Sequence, residues 1–363
     1  MHIHTDTKTF REALEIVARV STKHSTLPVL QCVLLEVSGK KLTIKATNLE
    51  IGIEGVINVS VEEEGVIAVP ATILLQTINL ITQTQTTLST EGDVLLVESK
   101  LSKTEIKSIP AGDFPNIPHI PGKAIIINSS LFTLGIKTTA FTASQSSIKP
   151  ELGSIYIHQK KEHALTFVAT DSFRLMEKTI PQKNSNLTEP ILIPYKNALE
   201  LARVAEGTQG DIELTINENQ CAIVVGNIYV TSRLVHGTFP DYEQIIPKEY
   251  KTNVSLLTGD LAQALKKTSI FLNKFMQLSL TTSQGSLTLS SQSGDAGATT
   301  ETIQASVDGE DITLNFNQRY IHEVIPHLTD DSVYMKCAGV GRPMVIENLH
   351  DKSLRYLVMP MNK

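Results

Sequence analysis

Val69-Pro70-Ala71-Thr72-Ile73-Leu74-Leu75-Gln76-Thr77-Ile78 reads as a strand end, a proline at a helix start and an amphipathic helix. A similar stretch stands at Ile193-Pro194-Tyr195-Lys196-Asn197-Ala198-Leu199-Glu200-Leu201-Ala202. It returns at Phe316-Asn317-Gln318-Arg319-Tyr320-Ile321-His322-Glu323-Val324-Ile325. Pro70 and Pro194 suit a first helical turn, where the missing N–H leaves no bond unmade. The spacing, about 123–124 residues each time, marks an internal repeat.

Other landmarks keep this period. Ala46-Thr47-Asn48 returns as Ala169-Thr170-Asp171, each after a strand pattern, and Asp113-Phe114-Pro115 returns as Thr238-Phe239-Pro240. Apolar spacing predicts an early helix in each unit, over residues 7–20, 130–141 and 259–272. Asp6 or Thr7, Asn128 or Ser129, and Thr258 or Asp260 are the candidate caps. Short alternating strands, such as residues 41–45 and 286–290, lie between helices. Each unit therefore reads helix, strands, helix, strands: an α+β domain of two helices packed on antiparallel sheets. Three tandem domains, 1–120, 121–248 and 249–363, account for the chain, with linkers near Pro118–Lys123 and Pro247–Thr252. Such an array can curve and close into a ring through copies of itself. A three-domain enzyme with its site at a domain junction, around Asp171, Arg174 and Asp241, is the competing reading.

Composition narrows the classes. At 363 residues the chain exceeds one ordinary core. No apolar run approaches a bilayer span and no export signal is visible, so a cytoplasmic protein without a membrane partner is expected. Cys32, Cys221 and Cys337 are scattered and form no CxxC pair, as for reduced core thiols. Trp is absent and aromatics are 5%, against a base-stacking platform. The net charge of −6 is unevenly spread. The predicted helices carry about ten Lys/Arg against about six Asp/Glu, leaving the excess of acid elsewhere.

Catalytic signatures are missing: neither GxxxxGK[ST] nor GxSxG occurs. His322-Glu323 suggests HExxH, but Pro326 holds the position of the second histidine. His2 and His4 could chelate a metal adventitiously, but terminal histidines are usually just solvated, and no metal site is expected. Gly339-Val340-Gly341-Arg342-Pro343 reads as a hairpin turn. Asp171 and Arg174 are either a functional polar cluster or a turn in which Asp caps N–H groups and Arg pairs with a carboxylate.

Five motifs in order carry a family resemblance: Ser25-Thr26-Leu27-Pro28-Val29-Leu30, Asp113-Phe114-Pro115-Asn116-Ile117-Pro118, Val168-Ala169-Thr170-Asp171 with Arg174-Leu175, Gly237-Thr238-Phe239-Pro240-Asp241-Tyr242, and Tyr356-Leu357-Val358-Met359-Pro360-Met361. Over nearly its whole length the chain resembles the bacterial DNA polymerase III beta subunit, the replicative sliding clamp. The resemblance implies three DNA-clamp domains per chain, closing as a head-to-tail dimeric ring around double-stranded DNA. Binding would be sequence-independent and topological, and the chain a processivity factor and not an enzyme. No cofactor is implied, since a separate clamp loader uses the ATP. Other implied partners are the polymerase III catalytic subunit, other polymerases, ligase and mismatch-repair proteins, held through short peptides.

The residues implied to face DNA are Arg11, Arg19, Lys23, His24, Lys137, Lys149, Arg203, Lys266 and Lys267. The partner-peptide pocket is implied at Leu152, Thr170, Phe173, Arg174, Leu175, Pro240, Gln244, Ile245, Asn317, Tyr320, Val358, Met359, Pro360 and Met361. Phe173 stands where many members have His, Gln244 where Arg is common, and His24 where Arg often precedes the Ser/Thr-Leu-Pro motif. The dimer interface is implied at Ile106, Ile270 and Phe271, with Thr104 replacing a larger apolar residue.

Overall fold

The computed structural model describes residues 1–21, 27–159, 161–183 and 187–361. Among them lie six α-helices: α1 (Thr7–Val17), α2 (Ala71–Leu80), α3 (Ser129–Ala140), α4 (Tyr195–Glu206), α5 (Thr258–Thr268) and α6 (Gln318–Val324). Helix α1 buries Thr7, Phe10, Ala13, Leu14 and Val17, the stripe its periodicity predicts. Asp6 caps it by accepting from Thr9 N at 2.8 Å, and Asn128 accepts from Leu131 N at 3.2 Å ahead of α3. The third expected cap differs. Leu257 precedes α5 without a side-chain bond, while the Thr258 hydroxyl donates instead to Asp330 O at 2.9 Å.

The chain divides into two compact units: unit 1, Met1–Thr133 with Glu200–Leu234, and unit 2, Leu134–Leu199 with Val235–Lys363. In unit 1 an eight-stranded sheet runs, neighbour by neighbour, Ile125–Asn128, Asp211–Ile216, Gln220–Val225, Ile228–Arg233, Ile51–Asn58, Lys41–Thr47, Cys32–Ser38 and Gly65–Pro70. A five-stranded sheet runs Ser60–Glu63, His2–Asp6, Gln85–Glu91, Val94–Ser99 and Ser102–Lys107. Unit 2 holds a nine-stranded sheet: Ile191–Pro194, Ser154–His158, Ala164–Thr170, Arg174–Pro181, Leu354–Val358, Met344–Asn348, Ser332–Cys337, Thr252–Leu257 and Ser306–Gly309. Its second sheet runs Gly297–Gln304, Ser286–Ser293, Gln277–Ser283 and Thr313–Asn317.

Two junctions give the fold its character. Ile228–Arg233 pairs antiparallel with Ile51–Asn58, from Ile228 opposite Gly55 to Ser232 opposite Ile51. Arg174–Pro181 pairs with Leu354–Val358, from Arg174 opposite Val358 to Lys178 opposite Leu354. Strands separated by an expected linker thus share one ladder, and the compact units cut through the expected middle domain. An edge strand carries a row of unpaired N–H and C=O groups, and the neighbouring repeat satisfies them. Gly55 permits the first junction, because a Cβ there would sit 3.1 Å from both Ile228 and Val17.

All three cysteines are buried and unbridged. Burial raises the Cys32 thiol to about 11 and those of Cys221 and Cys337 to about 12, so they behave as small apolar core groups.

Candidate functional site

In unit 2 the turn between Ala164–Thr170 and Arg174–Pro181 follows from Thr170-Asp171. Asp171 Oδ1 accepts from Phe173 N and Arg174 N, both at 3.0 Å. The Thr170 hydroxyl donates to Arg174 O at 2.6 Å and accepts from Ser172 N at 3.2 Å, with Ser172 at φ +79°. The repeat counterpart in unit 1 has the same wiring. Asn48 Oδ1 accepts from Glu50 N and Ile51 N, Thr47 bonds Ile51 O and Leu49 N, and Leu49 has φ +76°. One short motif encodes one tight turn twice.

The turn sends Phe173 outward, 60% exposed, and Arg174 inward. Arg174 Nε donates to Asp171 Oδ2 at 3.0 Å, one terminal nitrogen to Glu323 and the other to Phe141 O at 2.9 Å. Its guanidinium lies 4.5 Å from the Tyr320 ring centroid. Burial opposes the Arg174 cation, but the Glu323 bond, with Tyr356 and Asp171, holds its pKa above the ordinary value. Burial likewise opposes the Glu323 anion, yet bonds from Arg174 and Arg319 keep its pKa below the usual 4.5. Of the two readings of Asp171 and Arg174, the turn with a paired arginine is the one found.

Beside this turn opens a cavity of about 290 Å³. Leu152, Thr170, Phe173, Arg174, Leu175, Pro240, Ile245 and Met359 line it, all of them expected. Ser172, Asp241, Tyr242, Pro343 and Leu357 also line it and were not nominated. The repeated Phe-Pro motif was the signal for Asp241 and Tyr242, and the 339–343 turn before a C-terminal strand the signal for Pro343. Beneath lies a core cluster including Val168, Leu192, Phe239 and Val345, where Phe239 stacks on Tyr156 at 4.6 Å. Tyr242 donates its hydroxyl to Glu177 at 2.7 Å, and burial drives its pKa strongly upward. The result is an apolar bowl on a rigid floor, with Ile245 49% and Met359 36% exposed at its edge.

Six nominated residues do not line the cavity. Val358 is buried opposite Arg174 in the ladder; a one-residue alternation puts Leu357 and Met359 on the cavity side instead. Asn317 caps α6 by accepting from Arg319 N, and Tyr320 supports Arg174 from below. Gln244 is engaged by donating to Asp241 at 2.7 Å. Met361 N bonds Asn315 O at 2.7 Å, carrying Pro360 and Met361 away.

Unit 1 has a repeat-related hollow of about 180 Å³ lined by Thr47, Glu50, Gly52, Asn116, Ile117 and Arg233 among others. Buried Ile117 lies 2.9 Å from where a Gly52 Cβ would stand. The smaller volume and polar wall make this a poorer seat for an apolar anchor.

The expected DNA-facing set is only partly free. Arg11 donates to Ile78 O and Ile81 O at 3.0 and 2.7 Å, capping the end of α2, so it is a structural residue. Arg203 pairs with Glu200 and Lys267 with Glu301. Arg19, Lys149 and Lys266 are exposed with no ion pair among the described residues, and Lys137 is exposed. Lys23 and His24 lie outside the described residues. The six helices carry eight Lys/Arg and six Asp/Glu, a smaller basic excess than the broader helix ranges predict. Ile106, against expectation, is only 2% exposed and packs inside unit 1, so its side chain offers no free apolar area for a second copy. Ile270 is 67% exposed and Phe271 half-buried.

The sequence matches the N-terminal, central and C-terminal domains of the DNA polymerase III beta subunit over residues 1–118, 126–241 and 243–362. The chain belongs to that family. It is 27% identical to the beta sliding clamp of Pseudomonas putida over 372 residues, covering 99% of this chain and 100% of that one. Identity to the Escherichia coli beta sliding clamp is 27% over 340 residues, 93% of each. The crystal structure of a sliding clamp, DNA polymerase III subunit beta, from Pseudomonas aeruginosa matches with TM-score 0.95 at 27% identity over the whole of both chains. The DNA polymerase III beta subunit of Thermotoga maritima matches at 0.93 and 25%, covering 100% of this chain and 99% of that one. No helix is long and apolar enough to cross a membrane among the described residues.

Proposed function

We propose that this chain is a DNA sliding clamp for DNA polymerase III, and that the cavity beside Phe173 is where partners dock. The observation that carries the docking site is an apolar bowl with exposed Phe173, Ile245 and Met359 in a chain that matches all three domains of the family. Exposed apolar groups around a preformed pocket suit a short peptide with one or two large apolar anchors. Met359 is held there by its N–H bond to Phe173 O at 2.8 Å, so the rim is preorganised.

In this reading the domains are 1–120, 121–248 and 249–363, and two chains join head to tail into a ring around duplex DNA. Ser102–Lys107 and Gly297–Gln304 are open edges of their sheets, which a second copy can extend by strand pairing. Ile270 and Phe271 add apolar area to that contact. Arg19, Lys137, Lys149 and Lys266 attract phosphates without reading sequence. Processivity then comes from topology, and tethering converts polymerase rebinding into an intramolecular event. The protein itself catalyses nothing and works in the cytoplasm. The polymerase III catalytic subunit, a clamp loader, other polymerases, ligase and mismatch-repair proteins share the one pocket.

Loading by a cognate loader and ATP onto nicked circular DNA tests the ring. Retention on the circle with loss after linearisation is expected. Equal retention before and after cutting would mean ordinary contact binding and would sink the reading.

A further inference from the structure

His2 and His4 alternate along His2–Asp6, so both side chains rise from one face of the five-stranded sheet of unit 1. The neighbouring edge strand is Ser60–Glu63, and its register breaks opposite them: His2 faces Glu63 while Ile3 faces Val61. Glu62 is the extra residue of that bulge. A bulge redirects the side chain it carries, and here the carboxylate comes between the two imidazoles. Glu62 Oε2 lies 3.2 Å from His2 Nδ1, and Glu62 Oε1 lies 2.9 Å from His4 Nε2. One ligand atom from each of the three residues falls within 4.8 Å of the others.

We infer that His2, His4 and Glu62 form a binding site for a divalent late transition ion, with Zn²⁺ the best match. Ligands 2.0–2.1 Å from a tetrahedral zinc stand about 3.3 Å apart; Glu62 Oε2 and His2 Nδ1 already stand 3.2 Å apart, and a ligand atom of His4 lies within 4.8 Å of both. Two imidazoles and a carboxylate form a donor set that suits zinc, and the fourth position is left to water. The second ring nitrogen of His4 is already placed: Nδ1 lies 2.9 Å from the Thr87 hydroxyl on the other neighbouring strand. Such an outer partner fixes which nitrogen faces the metal. The amino terminus does not compete, because Met1 N donates to Thr90 Oγ1 at 2.9 Å and faces Glu63 at 3.6 Å.

The role that follows is a clip. Ser60–Glu63 is an outer strand held on one side only, and an ion shared by Glu62 and the two histidines ties it to His2–Asp6 across the irregular ladder. Glu62 gives the ion a preformed third ligand that a two-histidine chelate on a flexible terminus lacks.

Isothermal titration of the intact chain with ZnCl₂ tests this, alongside Co²⁺ absorption spectra. One equivalent of Zn²⁺ and an intense tetrahedral Co²⁺ band that Zn²⁺ abolishes are expected. Glu62→Gln and His4→Gln should each weaken Zn²⁺ by more than about 100-fold, and Thr87→Val by about 10-fold. His119→Gln, remote in sequence and bonded to Glu54, should leave binding unchanged. Absence of a stoichiometric event in the wild type would overturn the assignment. So would equal binding by wild type and the Glu62→Gln variant, which would mean that the histidines chelate without the fold.

Discussion

Arg174→Ala is the perturbation that best probes how the candidate pocket is held. The wild-type Arg174 side chain is 7% exposed, and its guanidinium bonds Asp171, Glu323 and a main-chain carbonyl while lying on Tyr320. Removing one partner of a buried ion pair costs about 3–5 kcal/mol, because the remaining charge is left buried. Here the remaining carboxylates are 17% and 25% exposed, and Arg319 still bonds Glu323 at 2.6 Å, so partial hydration lowers the figure. A loss of about 3 kcal/mol in the unfolding of unit 2 is expected, read as a shift in urea midpoint by circular dichroism. Asp171→Asn in the Arg174→Ala background should restore about 1 kcal/mol, because it removes the carboxylate left without a cation while an amide oxygen can still accept from the turn N–H groups. Because Arg174 ties the Thr170–Arg174 turn to α6, an anchor peptide should also bind about 10-fold more weakly. A loss under about 1 kcal/mol, or no restoration by Asp171→Asn, would refute the claim that this arginine is a buried electrostatic tie.

Met359→Ala and Ile245→Ala should each weaken a fluorescent apolar-anchor peptide by about 10-fold without moving the thermal midpoint, since both side chains are partly exposed. Gly135→Ala should destabilise by about 1–2 kcal/mol despite the better helix propensity, because overpacking a rigid ring outweighs it; the new Cβ would stand 2.7 Å from the Phe167 ring, and chemical denaturation measures it. Burial holds the His327 imidazole below the ordinary 6.5, where it stacks on Phe141 at 4.6 Å. Its contribution to stability is complete above pH 6.5 and declines as pH falls below that value, because the unfolded state takes up the proton first. His327→Phe should flatten that slope in denaturation curves below pH 6.5. Arg19→Glu with Lys266→Glu should reduce the salt-dependence of loading onto DNA, since fewer phosphate counterions are released.

The sequence by itself determined what is local or repeated. The recurring strand-to-helix stretch, with Pro70 and Pro194 ending the strand one residue before the helix and not inside its first turn, the caps Asp6 and Asn128, and the Thr-Asn and Thr-Asp turns follow from φ/ψ preference and hydrogen bonds within a few residues. They survive into the structure nearly unchanged. The family motifs carried much of the pocket too, because Pro240, Leu175 and Met359 stand in short stretches with their own signatures. Tertiary structure decided what depends on which edges meet. Ile228–Arg233 pairs with Ile51–Asn58 across an expected linker, and nothing in either strand's alternation names its partner. Alternation also fixes faces only once the register is known, so Leu357 lines the cavity while Val358 is buried. Arg11 and Ile106 looked like surface groups because residue type and spacing are silent on what lies opposite. The bulge that aims Glu62 between His2 and His4 is a property of two paired strands and is legible in neither strand alone.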